Sequence, residues 1–316
     1  MFFRRNDRYR THGPKEFTFD RVFSSKATQA TVYRQVATPL VDGLFEHING
    51  CVVAYGQTGA GKTYTVVGPD NDVIKHTEEH AHRLGLVPRA IHDVFERIAR
   101  KKQGERKQGG QAGNPEGKAE GQGKTYTVRC SYVQVYLDEC YDLLGHHANG
   151  DRSPWGARTR NVNRLHPEAT PNAALSSVGG TAGGAGGGAG GGFIAASSSS
   201  QATPLAPSPH PFHDASLLSK HPIPKLDLRE SQPDQPYLAG VQEVVCDTVY
   251  DMLSLLKMGA TRKAVAATRM NLKSSRSHTL FTILLEEKTA AAAAVVSRLV
   301  CVDLAGSERE WWLGRG

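Results

Sequence analysis

Cys51-Val52-Val53-Ala54-Tyr55, running directly into Gly56-Gln57-Thr58-Gly59-Ala60-Gly61-Lys62-Thr63, is the stretch that decides the fold. The first five residues form a short apolar run of the kind found in a strand buried on both faces. The next eight satisfy the pattern GxxxxGK[ST]. After a strand, such glycines let backbone N–H groups turn inward around phosphate oxygens. Lys62 can then bridge the outer oxygens, and the Thr63 hydroxyl can ligate Mg²⁺. A chance Gly-rich turn would not combine strand, spacing and Lys-Thr pair.

Outward from this point the pattern alternates. Thr31 to Ile48 carries Val32, Val36, Leu40, Leu44 and Ile48 at helical spacing, and Leu86 to Ile98 repeats that period with Ile91, Val94, Phe95 and Ile98. Tyr126 to Tyr136 reads as a strand and Val249 to Met258 as a helix. Leu280 to Leu285 and Arg298 to Val302 read as two more strands. The alternation predicts an α/β fold, a three-layer domain around a largely buried and mostly parallel sheet. Two stretches fall outside it. Residues 101–124 are Gly-, Gln- and Lys-rich, and 145–224 pass through Gly/Ala, Ser and Pro tracts. Neither can bury enough apolar surface to offset ordering entropy, so both are expected to be disordered insertions.

The formal net charge of +7 suits a polyanionic partner but does not choose one. The basic cluster Arg100, Lys101, Lys102, Arg106, Lys107 is expected to be a solvated tether rather than a binding patch. The five cysteines (Cys51, Cys130, Cys140, Cys246, Cys301) form no CxxC pair and read as small buried hydrophobes in a reducing compartment. No run approaches the ~20 apolar residues that span a bilayer, and the start has no apolar signal-peptide core, so a soluble intracellular protein is expected.

Four further motifs bear on chemistry. Gly123 to Val128 repeats the hexamer Gly61 to Val66, but position 118 is Lys and a strand follows, so no second phosphate cradle is expected. His76-Thr77-Glu78-Glu79-His80 matches a zinc-protease pattern, yet no third ligand is evident and a polar loop is expected. The strand ending in Asp303 continues as Leu304-Ala305-Gly306, an acid at a strand end followed by DxxG. Such an acid can hold Mg²⁺ through water, and the Gly306 N–H can sense a terminal phosphate. Asn271 to His278 (NLKSSRSH) would be a Ser-rich turn in isolation. Beside the other two motifs, its hydroxyls offer a metal ligand and groups to position a water.

GQTGAGKT, NxxSSRSH and DLAGSE in this order resemble the kinesin motor domain. The flanks agree: Phe17 to Phe23 (FTFDRVF), Pro39 to Tyr55, Gly85 to Ile91 (GLVPRAI), Tyr141 to Leu144 (YDLL), Leu226 to Glu230 (LDLRE) and Ala267 to Asn271 (ATRMN). The resemblance implies an ATP-hydrolysing, microtubule-based motor domain of P-loop type. In that reading Gly56, Gln57, Thr58, Gly59, Ala60, Gly61, Lys62 and Thr63 surround the ATP phosphates, with Tyr64 against adenine. Ser274 and Ser275 correspond to switch I serines, Ser275 being a metal and water contact. Arg276 and Glu308 correspond to an ion pair that closes the switches, Gly306 donates to the γ-phosphate, and Mg²⁺ falls to Thr63, Ser275 and Asp303. Microtubules are the implied partner and the cytoplasmic cytoskeleton the implied location, with no nucleic acid and no membrane insertion.

The resemblance also implies a motor domain incomplete at both ends. The adenine-holding segment would precede Met1, and the main microtubule-binding elements would follow Arg309. A sheet with an unpaired edge and poor solubility are expected from that. Gln134 and Leu137 stand where the family usually shows Glu and Asn. The alternative reading is a non-catalytic kinesin-like protein that binds tubulin or cargo without turnover. A regulatory GTPase is disfavoured because no NKxD run occurs.

Overall fold

The computed structural model describes residues 16–69, 81–109, 124–145, 159–161, 223–230, 236–269, 276–290 and 292–308. The first helical signal resolves into two helices, α1 (Gln29–Val36) and α2 (Thr38–Phe45), rather than one. Thr28 caps α1 by accepting from the Thr31 N–H at 3.1 Å. The chain breaks at Ala37 because Pro39 lacks an N–H and disfavours helix before it, but it fits the first turn of a new helix.

Strand β1 (Gly50–Ala54) leads through the glycine-rich turn into α3 (Lys62–Val66). Helix α4 (Leu86–Gly109) runs well past its apolar part, so residues 101–109 of the expected polar insertion are helical. Their Lys, Arg, Gln and Glu are good helix formers that extend a turn already nucleated by buried Val87, Ile91 and Val94. Residues 110–123 lie outside the described residues. Within 145–224, residues Thr159–Asn161 form strand β4 against β7 (Gln242–Cys246).

The long strand β2 (Thr125–Tyr136) turns directly into β3 (Glu139–Asp142). Leu137 and Asp138 occupy the two-residue turn at φ 48° and 62°, as a primed hairpin turn demands. A branched Leu in that region is strained by roughly 1 kcal/mol, and Asn would relieve it. After β5 (Lys225–Glu230) and β6 (Pro236–Ala239), helix α5 (Val249–Arg269) starts with a capping box. Thr248 Oγ1 accepts from the Asp251 N–H at 3.1 Å, and Asp251 Oδ2 accepts from the Thr248 N–H at 3.0 Å. β8 (His278–Lys288) and β9 (Val295–Asp303) complete the described elements.

The main path of the sheet runs β1-β9-β8-β2-β3-β5-β6, with β7 beside β2. The expected mostly parallel sheet is a mixed one. β1 pairs β9 in parallel, and every other described pairing is antiparallel. Short links such as the β2–β3 turn can only reverse the chain, whereas a parallel neighbour needs a long crossover. All described helices share one apolar cluster with Val128, Cys130, Tyr132, Phe281, Ile283, Leu285, Leu299 and Cys301 of the sheet. Among the described residues they therefore cover one face, two of the three layers expected.

β1 has β9 on one side and no described strand on the other. It is also not the doubly buried strand its composition suggests: Val52 and Ala54 pack against the helix-side core, but Cys51 and Val53 share the other face, where Cys51 is exposed and Val53 is 55 % exposed. Cys130, Cys246 and Cys301 are buried as expected, Cys140 is partly buried, and all five are free thiols.

Asp142 ties β3 to β7, and Arg262 of α5 binds the chain just after it. The Asp142 carboxylate accepts from the Leu144 N–H at 2.9 Å and the Gln242 N–H at 2.8 Å, while Arg262 donates to the Leu143 and Gly145 carbonyls at 2.9 and 2.7 Å. Burial pushes the Asp142 carboxyl from 3.8 up to about 6, with the N–H bonds opposing it. The folded state thus holds this proton more tightly than the unfolded chain. Its contribution is complete below the unfolded pKa and is lost as pH rises through about 6, a fall of about 3 kcal/mol. Urea midpoints measured from pH 4 to 7 should show that decline in the unaltered chain and a flatter profile in Asp142→Asn.

Candidate functional site

The glycine-rich turn between β1 and α3 supplies the site's frame. Gly59 and Gly61 hold φ of +80° and +93°, a region that side-chain-bearing residues rarely adopt. The turn therefore curls back on itself and leaves Lys62 at the start of α3. Lys62 Nζ donates to the Gly56 and Gln57 carbonyls at 2.9 and 3.0 Å, so its ammonium is folded over the loop.

The second half of the site arrives from the far end of the sequence. Parallel pairing of β1 with β9 sets Ala54 beside Asp303, so both strands end at the same place. Thr63 Oγ1 donates to Asp303 Oδ2 at 2.6 Å. The Ser307 N–H donates to the Gly56 carbonyl at 3.0 Å, and the Leu304 N–H reaches the Ala54 carbonyl at 3.3 Å. His278, at the start of β8, accepts from the Ala305 N–H through Nδ1 at 3.0 Å, fixing the turn after β9.

Together these segments line a cavity of about 450 Å³, walled by Thr58, Gly59, Gly61, Lys62, Thr63, Tyr64, Tyr132, Lys263, Ser277, Asp303 and Gly306 among others. Of the residues expected from sequence, Thr58, Gly59, Gly61, Lys62, Thr63, Asp303 and Gly306 meet there, while Gly56, Gln57 and Ala60 shape the turn without lining the cavity. Tyr64 stands at its edge, 47 % exposed. Ser274 and Ser275 lie outside the described residues, as does His76 to His80. Lys124, in the expected non-functional copy of the motif, pairs with Glu287 at 2.6 Å from the head of a strand.

The expected Arg276–Glu308 pairing is not formed between these two described residues. Glu308 instead accepts from the Thr58 N–H at 2.8 Å and from the Thr58 hydroxyl, contacts that hold its carboxyl below the usual range. The segment after β9 is thereby attached to the glycine-rich turn itself.

Sequence reasoning missed Gln29, Tyr132 and Lys263, and it gave Ser277 and His278 no role beyond membership of the Ser-rich motif. Gln29 is buried in α1 and donates to the Tyr64 carbonyl at 2.6 Å, bracing α3. Lys263 enters from α5, with Ala260 and Ala264 on the same helical face. That Ala-Lys-Ala spacing was the one available signal, a lone cation on an otherwise small-residue stripe.

Asp303 Oδ1 is buried and finds no hydrogen-bond donor among the described residues, while Oδ2 is held by Thr63. An orphaned carboxylate oxygen beside a hydroxyl, both hard oxygen donors, fits a Mg²⁺ ion held partly through water. No helix among the described residues is long and apolar enough to cross a membrane.

A strand, a GxxxxGK[ST] turn and an acid at the end of the adjacent parallel strand define a P-loop nucleotide-binding protein. Comparison with known proteins narrows this class. The kinesin motor domain profile matches residues 3–170 and 214–314, so the chain belongs to the kinesin motor domain family. Kinesin-related protein 5 of Dictyostelium discoideum is 26 % identical over 293 residues, covering 93 % of this chain and 20 % of its own length. Kinesin-like protein KIF15 of Rattus norvegicus is 29 % identical over 301 residues, covering 94 % of the chain and 15 % of its own length. The solved structure of a fast kinesin superimposes with a TM-score of 0.58 at 26 % identity, covering 96 % of this chain and 57 % of that one. The chain thus spans a fifth or less of the length of these two curated relatives.

Proposed function

We propose that this chain binds ATP with Mg²⁺ and serves as the nucleotide-hydrolysing part of a microtubule-based motor, acting at the cytoskeleton. The observation that carries the reading is the meeting of Thr63 and Asp303, 240 residues apart in sequence, at 2.6 Å on the wall of one cavity that also holds Lys62 and Gly306. That arrangement offers a cation for phosphate oxygens, two oxygen donors for a metal and a backbone N–H for a terminal phosphate.

In this reading the N–H groups of Gly56 to Thr63 and the Lys62 ammonium orient the phosphates, with Lys62 leaving the Gly56 and Gln57 carbonyls to do so. Thr63 and Asp303 hold Mg²⁺, which neutralises charge on the transferred phosphoryl group when bound. Ser275 joins as a third contact by family resemblance, and Ser274 and Arg276 extend the same segment. Tyr64, at the cavity edge, lies against adenine. Glu308 passes from Thr58 to Arg276 as the segments around the γ-phosphate close, a gated assembly of the site. Microtubules are the partner that the family membership supports.

Titration with a fluorescent ATP derivative tests the reading. Lys62→Ala removes charge-assisted bonds to phosphate and should weaken binding by about 100-fold. Unchanged affinity would overturn the P-loop assignment. Saturable binding with microtubule co-sedimentation, but without microtubule-stimulated phosphate release, would point to the non-catalytic alternative.

A further inference from the structure

Lys263 is the feature of the cavity that the reading above leaves without a task. It sits within α5, partly buried, and lines the cavity that Asp303, Leu304 and Gly306 also line. Its placement is a consequence of packing. Gly259 lets α5 lie against the Tyr132 ring of β2, so the next turn of the helix faces into the cavity. Burial disfavours the ammonium, and Asp303 supports it at longer range than a hydrogen bond. Asp303 Oδ1, likewise, has no donor among the described residues.

Two opposite charges facing one cavity without touching leave each with desolvation that only a ligand can offset. A magnesium ion on the Asp303 side answers half of that. An oxyanion on the Lys263 side answers the other half.

We propose that Lys263 binds the terminal phosphoryl group of the nucleotide and so makes the site discriminate a nucleoside triphosphate from a diphosphate. This inference rests on the proposed ATP site and deepens it. Lys62 comes from the glycine-rich turn, whose N–H groups serve every phosphate in the chain. Lys263 comes instead from α5 and lines the same cavity near enough to Asp303 to feel its charge, and Asp303 and Gly306 are the groups assigned above to the metal and the terminal phosphate. A second ammonium there strengthens binding of the charge that ADP lacks, through bonds of the charge-assisted kind.

The test compares a non-hydrolysable ATP analogue with ADP, each competed against a fluorescent nucleotide on the full chain, with Mg²⁺ and again in EDTA. Lys263→Met keeps the packing of the stem and removes the charge. It should weaken the ATP analogue by about 10-fold or more and ADP by less than about 2-fold, in both buffers, with Lys263→Arg retaining most of the discrimination. Equal weakening of both nucleotides, or none, overturns the inference alone. No saturable binding by the unaltered chain overturns the ATP-site reading and this inference with it. Should Lys263→Met fail to fold, lysine acylation of the unaltered chain, read by mass spectrometry, decides the matter. The ATP analogue should protect Lys263 more than ADP does, and equal labelling overturns the proposal.

Discussion

Gly85→Ala should lower the unfolding free energy by about 3 kcal/mol or more, and it should loosen the nucleotide site as it does so. Gly85 precedes α4 and crosses the end of α3 at contact distance. A methyl group there would lie 2.6 Å from the Val67 carbonyl carbon and 2.7 Å from both the Thr65 oxygen and the Val66 carbonyl carbon. All three are backbone atoms, and the Gly85 N–H donates to the Val67 carbonyl at 3.0 Å, so neither chain can retreat without losing that bond. The strain falls on α3, which starts at Lys62 and carries Thr63. Urea denaturation should show a lower midpoint with an unchanged slope, and nucleotide affinity should drop although Gly85 touches no ligand group. A stability loss under about 1 kcal/mol would mean that the crossing is less close than described.

The second large effect is expected on the sheet. Arg129→Met should cost about 3–5 kcal/mol at neutral pH, because it removes the cation facing the buried Glu243 carboxylate and the partly buried Glu286 carboxylate. Arg129 is 2 % exposed in the middle of β2, with Nε 3.1 Å from Glu243 of β7 and Nη1 on Glu286 of β8. The register explains the meeting. Arg129 stands opposite Leu284 and Val245, so Glu286 and Glu243 lie on the same face one step along each neighbour.

The guanidinium and Glu243 are close in distance but poorly aligned as a hydrogen bond, which leaves the charge attraction as the main tie. Urea unfolding at neutral pH should show the loss, and adding Glu243→Gln and Glu286→Gln should recover much of it. A deficit that the two Gln substitutions leave in place would assign the cost to packing instead.

What the sequence by itself determined is whatever the chain specifies over a few consecutive residues. The glycine-rich turn was legible because Gly59 and Gly61 are needed where φ is positive and because Lys62 and Thr63 follow at fixed offsets. Helical periods in α2, α4 and α5 and the apolar runs of β8 and β9 were legible for the same reason, as was Asp303 at a strand end. Family resemblance then joined these pieces into one α/β fold.

The tertiary structure decided what depends on partners distant in sequence. β1 has the composition of a strand buried on both faces, yet among the described residues nothing covers its Cys51–Val53 face, and coverage is a property of neighbours. Strand direction followed from short links only at β2–β3, β5–β6 and β8–β9; for β2–β8, β2–β7, β3–β5 and β4–β7 it was set by packing between strands distant in sequence. Lys263 looks like an ordinary helix lysine until Gly259 lets α5 settle on Tyr132. Arg129 looks like a surface residue until β7 and β8 arrive with Glu243 and Glu286. Glu308 has no local reason to choose Thr58, 250 residues away, over Arg276. In each case the deciding free energy is desolvation or charge pairing across the packed sheet, a term that exists only after the chain has folded.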